Sequence, residues 1–66
     1  MKTIQLNGTP RTTAAETVAT LAAELGFVKG TILIEHNGTA LRPEEWPAVS
    51  LGEGDRLECL RIVAGG

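Results

Sequence analysis

The residues with the clearest chemical potential in this 66-residue sequence are its last two, Gly65 and Gly66. Glycine lacks a Cβ atom, so a Gly-Gly end is thin and accepts backbone angles that other residues avoid. Such an end can enter a narrow channel of another protein and present its terminal carboxylate there. This carboxylate has a pKa of about 3.3–3.7, so at neutral pH it is ionised and is a poor electrophile until something activates it.

Activation would require a good leaving group on the terminal carboxylate. An example is an acyl-adenylate made with ATP, which a sulfur or nitrogen nucleophile then displaces. In this scheme Gly66 is the reacting residue, and the protein is the substrate of another enzyme rather than a catalyst. Val63, Ala64 and Gly65 would complete a flexible tail, residues 63–66, that reaches the partner. Chain ends are often poorly ordered segments without a role, so the Gly-Gly pair by itself does not decide between the two interpretations.

Other reactive side chains are weaker candidates. The sequence has one cysteine, Cys59, and one histidine, His36, whereas a catalytic nucleophile needs an adjacent base and a third, orienting group. Cys59 shares its strand parity with Leu57, which favours a role as a small core residue. The adjacent acids Glu44-Glu45 lack the spacing of oxygen ligands around a metal ion, so no metal site is expected there.

Composition excludes several function classes. Eight acidic and six basic residues give a net charge of -2 without a basic run, so a nucleic-acid partner is not expected. The single cysteine excludes an internal disulfide and suits a reducing cytoplasm, and cysteine and histidine are too few for structural zinc. No stretch approaches the roughly 20 apolar residues of a membrane helix, and no signal-peptide pattern is present. We therefore expect one cytoplasmic domain, residues 1–66, with a globular part at 1–62 and no membrane contact.

The first predicted elements form a hairpin. Residues 2–6 alternate, with Ile4 and Leu6 on one side, which is typical of a half-buried strand. Asn7-Gly8 follows and strongly indicates a tight turn, because both residues accept positive φ. Residues 10–13 are expected to form the returning strand, and Pro10, which lacks an N–H group, suits an edge.

A helix follows the hairpin, because the apolar residues change from a period of two to the helical pattern i, i+3, i+4, i+7. Two starts fit the sequence: Thr17 as the N-cap, or a capping box of Thr13 with Glu16. Gly26 is expected to end the helix at the C′ position. The apolar face consists of Val18, Leu21, Ala22 and Leu25.

Three more strands are predicted after the helix. Residues 31–36 are apolar on both sides, so this strand is either central in the sheet or has its second face against a partner. Asn37-Gly38 indicates a turn into a short strand near residues 40–41. Residues 42–50 contain two prolines and are expected to be irregular, with Trp46 closing one end of the core and its N–H turned to water.

The last strand is expected to follow a tight turn at residues 51–55. Its alternation places Leu57 and Cys59 on one face and Leu60 and Ile62 on the other. The whole order predicts an α+β fold of the β-grasp type. In this fold a mixed sheet of four to five strands carries one main helix on one face.

The face of this sheet that the helix leaves uncovered is a candidate docking surface. Strand parity places Leu33, Leu60 and Ile62 on it, and we call these three residues the apolar patch. Exposed apolar patches commonly mark protein interfaces, although single surface aliphatics are normal. The patch leads directly into residues 63–66, which favours docking of a partner there.

An ordered set of segments along the whole chain resembles the bacterial ThiS-type sulfur carrier proteins of thiamine biosynthesis: IQLNG, TVATLAAELG, LIEHNG, LRPEEW, LGEGDRLE and IVAGG. Gly65 and Gly66 match the terminal diglycine of that family, and residues 62–64 match the segment before it. Cys59 stands where the family usually has an aliphatic residue, which supports a packing role. The order of Pro43 and Glu44 also departs from the family pattern.

The resemblance implies a ubiquitin-like β-grasp fold and a cycle in which the chain carries sulfur. A ThiF-type activating enzyme would use ATP and Mg²⁺ to adenylate Gly66. Sulfur relayed from a cysteine desulfurase would convert the carboxylate into a thiocarboxylate, and thiazole synthase would take this sulfur into the thiazole ring. The chain itself would bind no cofactor and would not be an enzyme, and the apolar patch would dock both enzymes.

Other functions share these features. The small subunit of molybdopterin synthase also ends in Gly-Gly, although such chains are typically longer, and sulfur carriers for tRNA thiolation use the same chemistry. A ubiquitin-like protein modifier would instead join Gly66 to lysines of its targets through the same adenylate. A β-grasp interaction module without chemistry at the chain end is the remaining alternative.

Overall fold

The computed structural model describes residues 1–62, which form one five-stranded sheet, one α-helix and one 3₁₀ helix. Val63, Ala64, Gly65 and Gly66, and with them the expected flexible tail, lie outside the described residues. The elements in chain order are β1 (Lys2–Leu6), β2 (Thr9–Thr13), α1 (Val18–Glu24), β3 (Ile32–His36), β4 (Thr39–Leu41), the 3₁₀ helix (Pro43–Ala48) and β5 (Arg56–Arg61).

The strands lie in the order β2-β1-β5-β3-β4, so the last strand along the chain is the middle strand of the sheet. β1 and β5 are parallel, and every other neighbouring pair in this sheet is antiparallel. Two hairpins therefore flank β5. This mixed sheet with one main helix is the predicted β-grasp arrangement, with five strands.

Both Asn-Gly pairs form the predicted hairpin turns. Asn7 and Asn37 each have a φ of 50°, and the glycines that follow have φ values of 82° and 88°. Two successive residues with positive φ are typical of the type I′ turn, whose twist matches that of the flanking strands. Pro10 lies in β2, an edge strand, where its missing N–H leaves no ladder bond unmade.

Of the two predicted starts of the helix, Thr17 is the correct one. Thr17 is the N-cap, since its Oγ1 accepts from the backbone N–H of Thr20 at 3.1 Å. The Thr20 hydroxyl in turn accepts from the backbone N–H of Thr17 at 3.2 Å. The Thr13–Glu16 capping box is wrong, because the Thr13 hydroxyl instead accepts from the N–H of Ala15 and donates to Glu24.

The helix ends at the predicted glycine. Gly26 has a φ of 75°, and its N–H donates to the carbonyl of Ala23. The N–H of Phe27 donates to the carbonyl of Ala22 at 2.8 Å, which completes a Schellman motif. Positive φ is open to glycine at little cost, so the chain can turn back towards the sheet at this position.

The core lies between α1 and one face of the sheet. β1, α1, β3 and β5 each contribute to it, and the most deeply buried large side chains include Ile4, Leu21, Ile34, Leu57 and Trp46. The predicted helix face is confirmed. Val18, Leu21 and Ala22 are buried, and Leu25 packs against the core from its edge.

Residues 42–50 are more regular than predicted. Pro43–Ala48 form a 3₁₀ helix, with Pro43 at its first turn, where a missing N–H is tolerated. Glu45 stabilises this start, because its Oε1 accepts from the backbone N–H of Arg42 at 2.7 Å. The prediction that the Trp46 N–H turns to water is wrong. Trp46 is buried at the end of the core, and its Nε1 has no hydrogen-bond partner among residues 1–62.

Candidate functional site

Asn7 extends the pairing of β1 with β5 by means of its side chain. The backbone ladder between the two strands ends at the pair Leu6↔Leu57. One turn residue further on, Asn7 Oδ1 accepts from the N–H of Cys59 at 2.7 Å, and Asn7 Nδ2 donates to the carbonyl of Cys59 at 3.2 Å. Both backbone groups of Cys59 on this side are thus satisfied, and β5 is held close to the point where it leaves the sheet. Because Asn7-Gly8 is already explained as a turn, the sequence gives no signal of this second role.

Asn37 holds the other side of β5 near its start. Its Oδ1 accepts from the backbone N–H of Arg56 at 2.8 Å. Beside it, His36 Nε2 donates to Asp55 Oδ2 at 2.7 Å, and the same oxygen accepts from the N–H of Gly52. These contacts tie the β3–β4 turn to the turn before β5.

The pKa of Asp55 is held below its ordinary value of 3.8. Burial raises this pKa, but hydrogen bonds from His36, from the N–H of Gly52 and from Asn37 outweigh the burial. Because the folded-state pKa lies below the unfolded one, ionised Asp55 stabilises the fold above the unfolded pKa of about 3.9. This contribution is lost as the pH falls through the folded value.

We therefore expect Asp55→Asn to lower the melting temperature at about pH 5 and to matter less at about pH 2.5. Below the unfolded pKa the carboxyl of the unfolded chain is protonated, so the stabilisation by ionised Asp55 decreases as the pH falls. Thermal unfolding of both proteins at the two pH values measures this difference. A melting-temperature difference that stayed constant down to pH 2.5 would contradict the assigned role of the carboxylate. Glu44→Gln, a change of the same charge on the exposed 3₁₀ helix, serves as the control.

The residues of the apolar patch lie on the sheet face that α1 does not cover, which we call the open face. Leu33 in β3 is directly opposite Leu60 in β5, and their side chains are 39% and 63% exposed. Ile62 follows at the end of β5 and is 51% exposed, with its N–H donating to the carbonyl of Thr31 at 2.8 Å. β3 lies between β5 and β4 in the sheet, and the face of β3 that carries Leu33 is not covered by α1. The residues of the patch form one continuous surface.

An acidic pair, Glu35 and Glu58, lies on the same face as the apolar patch. Glu35 in β3 is directly opposite Glu58 in β5, one step along the face from Leu33 and Leu60. From the sequence, strand alternation indicates that Glu35 shares a face with Leu33 and that Glu58 shares a face with Leu60. Their direct juxtaposition depends on the register between β3 and β5, which the sequence does not reveal.

Cys59 and His36 do not form a catalytic pair in the described part of the chain. Cys59 is buried in the core, and burial, with the negative charge of Glu58 adding to it, raises the pKa of its thiol. A thiol in this state is largely protonated at neutral pH and is a poor nucleophile. His36 is hydrogen-bonded to Asp55 instead. Because Cys59 lies in the core cluster, the packing role predicted for it is confirmed.

Sites for small ligands are absent from residues 1–62. No group of three or more metal-ligating side chains comes together there, and Glu45 caps the 3₁₀ helix instead. This part of the chain also has no surface pocket. Within it, no helix combines the length and apolar character needed to cross a membrane.

A sequence profile of the ThiS family matches residues 4–66, which include most of β1, the other four strands and both glycines at positions 65 and 66. The chain belongs to the ThiS family. The solved structure of the thiamine biosynthesis protein ThiS from Geobacter metallireducens is similar to it over 97% of this chain and 99% of that chain. The two have a TM-score of 0.79 and 31% sequence identity. No curated protein sequence gives a significant match.

Membership in the ThiS family confirms the resemblance seen in the sequence and the ubiquitin-like β-grasp fold that it implied. The match also runs through the residues that carry the chemical argument. It extends without a break from Ile4 in β1 to Gly66. In this ThiS-family chain the strand that precedes Gly65 and Gly66 is the middle strand, fixed from both sides.

Proposed function

We propose that this chain is a sulfur carrier of thiamine biosynthesis whose reactive group is the carboxylate of Gly66. The observation that carries the proposal is the ThiS-family match, which runs from β1 through the Gly65-Gly66 pair. A structural neighbour in that family is named a thiamine biosynthesis protein. The absence of a pocket and of a metal-ligating group from residues 1–62 is compatible with a protein that is acted upon.

Two displacement steps would load the sulfur. A ThiF-type enzyme, which holds ATP and Mg²⁺, lets a Gly66 carboxylate oxygen attack the α-phosphorus, and pyrophosphate leaves. A persulfide sulfur, supplied through a cysteine desulfurase, then attacks the acyl carbon, and AMP leaves with one of the original carboxylate oxygens. A thiol reductant cleaves the resulting acyl disulfide, and the reductant is itself oxidised to a disulfide. The product is a thiocarboxylate. Thiazole synthase accepts its sulfur, an oxygen nucleophile from water or from the sulfur acceptor replaces it on the acyl carbon, and the carboxylate returns for another cycle.

The end of the sheet near Ile62 supports a partner that contacts this region. β3 pairs with β5 as far as Ile32↔Arg61, and the hydrogen bond from Ile62 to Thr31 follows. Four residues separate Ile62 from the carboxyl group of Gly66, so the group is within about 14 Å of the end of the sheet even when fully extended. An active site that receives Gly66 must therefore contact the region around Ile62.

The apolar patch supplies the contact surface in this proposal. Leu33, Leu60 and Ile62 are exposed, adjacent and next to the segment that enters the partner. Burial of such side chains at an interface is favourable, at about 25 cal/mol per Å² of apolar area. We propose that the activating enzyme and thiazole synthase both dock here, one after the other.

Sulfur loading is tested by incubating the protein with a ThiF-type enzyme, MgATP and a sulfur source, and then measuring its intact mass. The expected product has one oxygen exchanged for sulfur, and reactions without ATP should show none. No exchange, with an activating enzyme that loads its own carrier, would contradict the proposal and favour a plain interaction module. Conjugates of high mass on a blot would favour a protein modifier, and copurified partners would separate thiazole from molybdopterin or tRNA pathways.

Leu60→Asp tests the docking surface. We expect the dissociation constant for the activating enzyme to rise at least about tenfold, because a charge would replace an apolar side chain in the centre of the contact. The melting temperature should change little, since Leu60 is 63% exposed. Ala14→Asp, in the exposed loop before α1, adds the same charge away from the open face and should bind normally. Unfolding of Leu60→Asp, or unchanged binding, would overturn the assignment of the patch.

A further inference from the structure

We infer that the partner surface covering the open face is apolar and carries a basic side chain that binds Glu35 and Glu58 together. The inference rests on the proposed function, which places a partner at the end of β5. It adds the chemistry that this partner must present. The feature that carries it is the position of the acidic pair beside the apolar patch.

Glu35 and Glu58 occupy opposite positions on neighbouring strands. Glu35 and Glu58 are directly opposite in the β3–β5 register, and the next pair on that face is Leu33↔Leu60. Side chains directly opposite each other in a sheet are close neighbours, and like charges at such positions are destabilising. Residues 1–62 therefore place two like charges in opposite positions beside the apolar patch.

Neither Glu35 nor Glu58 forms an ion pair within 4.0 Å among residues 1–62. The ion pairs closer than 4.0 Å in this part of the chain are Arg11–Glu24 and His36–Asp55. Arg56 lies two residues before Glu58 on the same strand, yet it makes no such contact with either acid. The described side-chain hydrogen bonds also leave both carboxylates unused, so they are available to an external donor.

A second copy of this chain is a poor occupant of the open face. A symmetric dimer uses the same surface from both subunits, so it would bring a second Glu35–Glu58 pair to the same apolar patch. A basic side chain from a different protein would instead remove the repulsion within the pair. An arginine suits this position well, because its planar guanidinium can donate to two carboxylates at once.

The test combines Glu35→Gln and Glu58→Gln in one protein and compares two measurements that should move in opposite directions. Removal of the repulsion should raise the melting temperature of the free chain. Loss of the ionic contact should raise the dissociation constant for the ThiF-type enzyme about tenfold and should weaken its dependence on salt concentration. Glu44→Gln on the 3₁₀ helix removes a charge away from the open face and should leave binding unchanged.

Each outcome supports or overturns the inference. A double variant that binds as tightly as the wild-type chain, or that melts at a lower temperature, overturns it. Dimerisation of the wild-type chain through the open face, seen by sedimentation, overturns it as well. Failure of the wild-type chain to be adenylated overturns the proposed function itself. If the wild-type chain is adenylated and the double variant binds as tightly as the wild-type chain, only the inference about the acidic pair is wrong, and the proposed function stands.

Discussion

Deletion of Gly66 is expected to abolish sulfur loading by the activating enzyme. The new terminal carboxylate, that of Gly65, would fall short of its former position by as much as about 3.5 Å, the span of one extended residue. A misplacement of about 1 Å between reacting groups can already cost on the order of 10²-fold in rate. Intact mass after incubation with the enzyme, MgATP and a sulfur source measures the loss. High mass resolution is needed, because oxidation of Met1 or Cys59 adds nearly the same mass as the exchange.

Two controls accompany the deletion. The variant should melt at the wild-type temperature, because the deletion leaves the core formed by residues 1–62 unchanged. Gly66→Ala keeps the length and adds one methyl group, so it separates the position of the carboxylate from the thinness of the chain end. We expect it to load more slowly than the wild-type chain and faster than the deletion. Sulfur exchange in the deletion variant at the wild-type rate would refute Gly66 as the reacting residue.

Leu57→Ala is expected to remove a large part, about half, of the free energy of unfolding of the domain. Leu57 is 1% exposed on the middle strand, where it packs in the core beneath α1. A buried leucine replaced by alanine typically costs about 2–5 kcal/mol. A domain of this size has a free energy of unfolding of only about 3–10 kcal/mol at the usual stability per residue. Urea denaturation followed by circular dichroism measures the loss.

The matched control for this change lies on the same strand. Leu60 is 63% exposed on the open face, so Leu60→Ala should change the free energy of unfolding by about 0.5 kcal/mol or less. Comparing the same substitution at Leu57 and at Leu60 thus shows whether the loss in free energy of unfolding comes from burial in the core or from a position in β5. Equal losses in the two variants would contradict the assignment of the two faces of the sheet.

Much of the fold follows from local patterns in the sequence. The two Asn-Gly turns, the apolar face of α1 and Gly26 at its end are each determined by a few adjacent residues. Local residues do not decide between Thr17 and Thr13 as the start of the helix, because both threonines have a suitable residue three positions later. Thr13 is engaged by Glu24 from the far end of α1, a contact that appears only when the helix packs on β2.

The errors have the same origin in long-range contacts. The 3₁₀ helix at Pro43–Ala48 forms around two prolines, because the core draws Trp46 inwards and Glu45 caps the chain before it. The patch residues could be predicted, since alternation assigns each to a face. The acidic pair and the hydrogen bonds between the Asn7 side chain and the Cys59 backbone could not be predicted. Both depend on how β5 aligns with strands distant in sequence.

The middle strand of the sheet is also the last of the five to leave the ribosome, because β5 follows every other described element along the chain. Its pairing of Arg56 with Gln5 joins residues 51 positions apart, and such non-local contacts form late in folding. A nascent chain truncated before β5 would have two hairpins with no strand between them, and isolated hairpins are marginal in water. Unfolded chains are removed by proteases in the cell. Folding thus depends on the synthesis of the strand that leads to Gly66, so we expect chains truncated before β5 to stay unfolded and open to proteolysis.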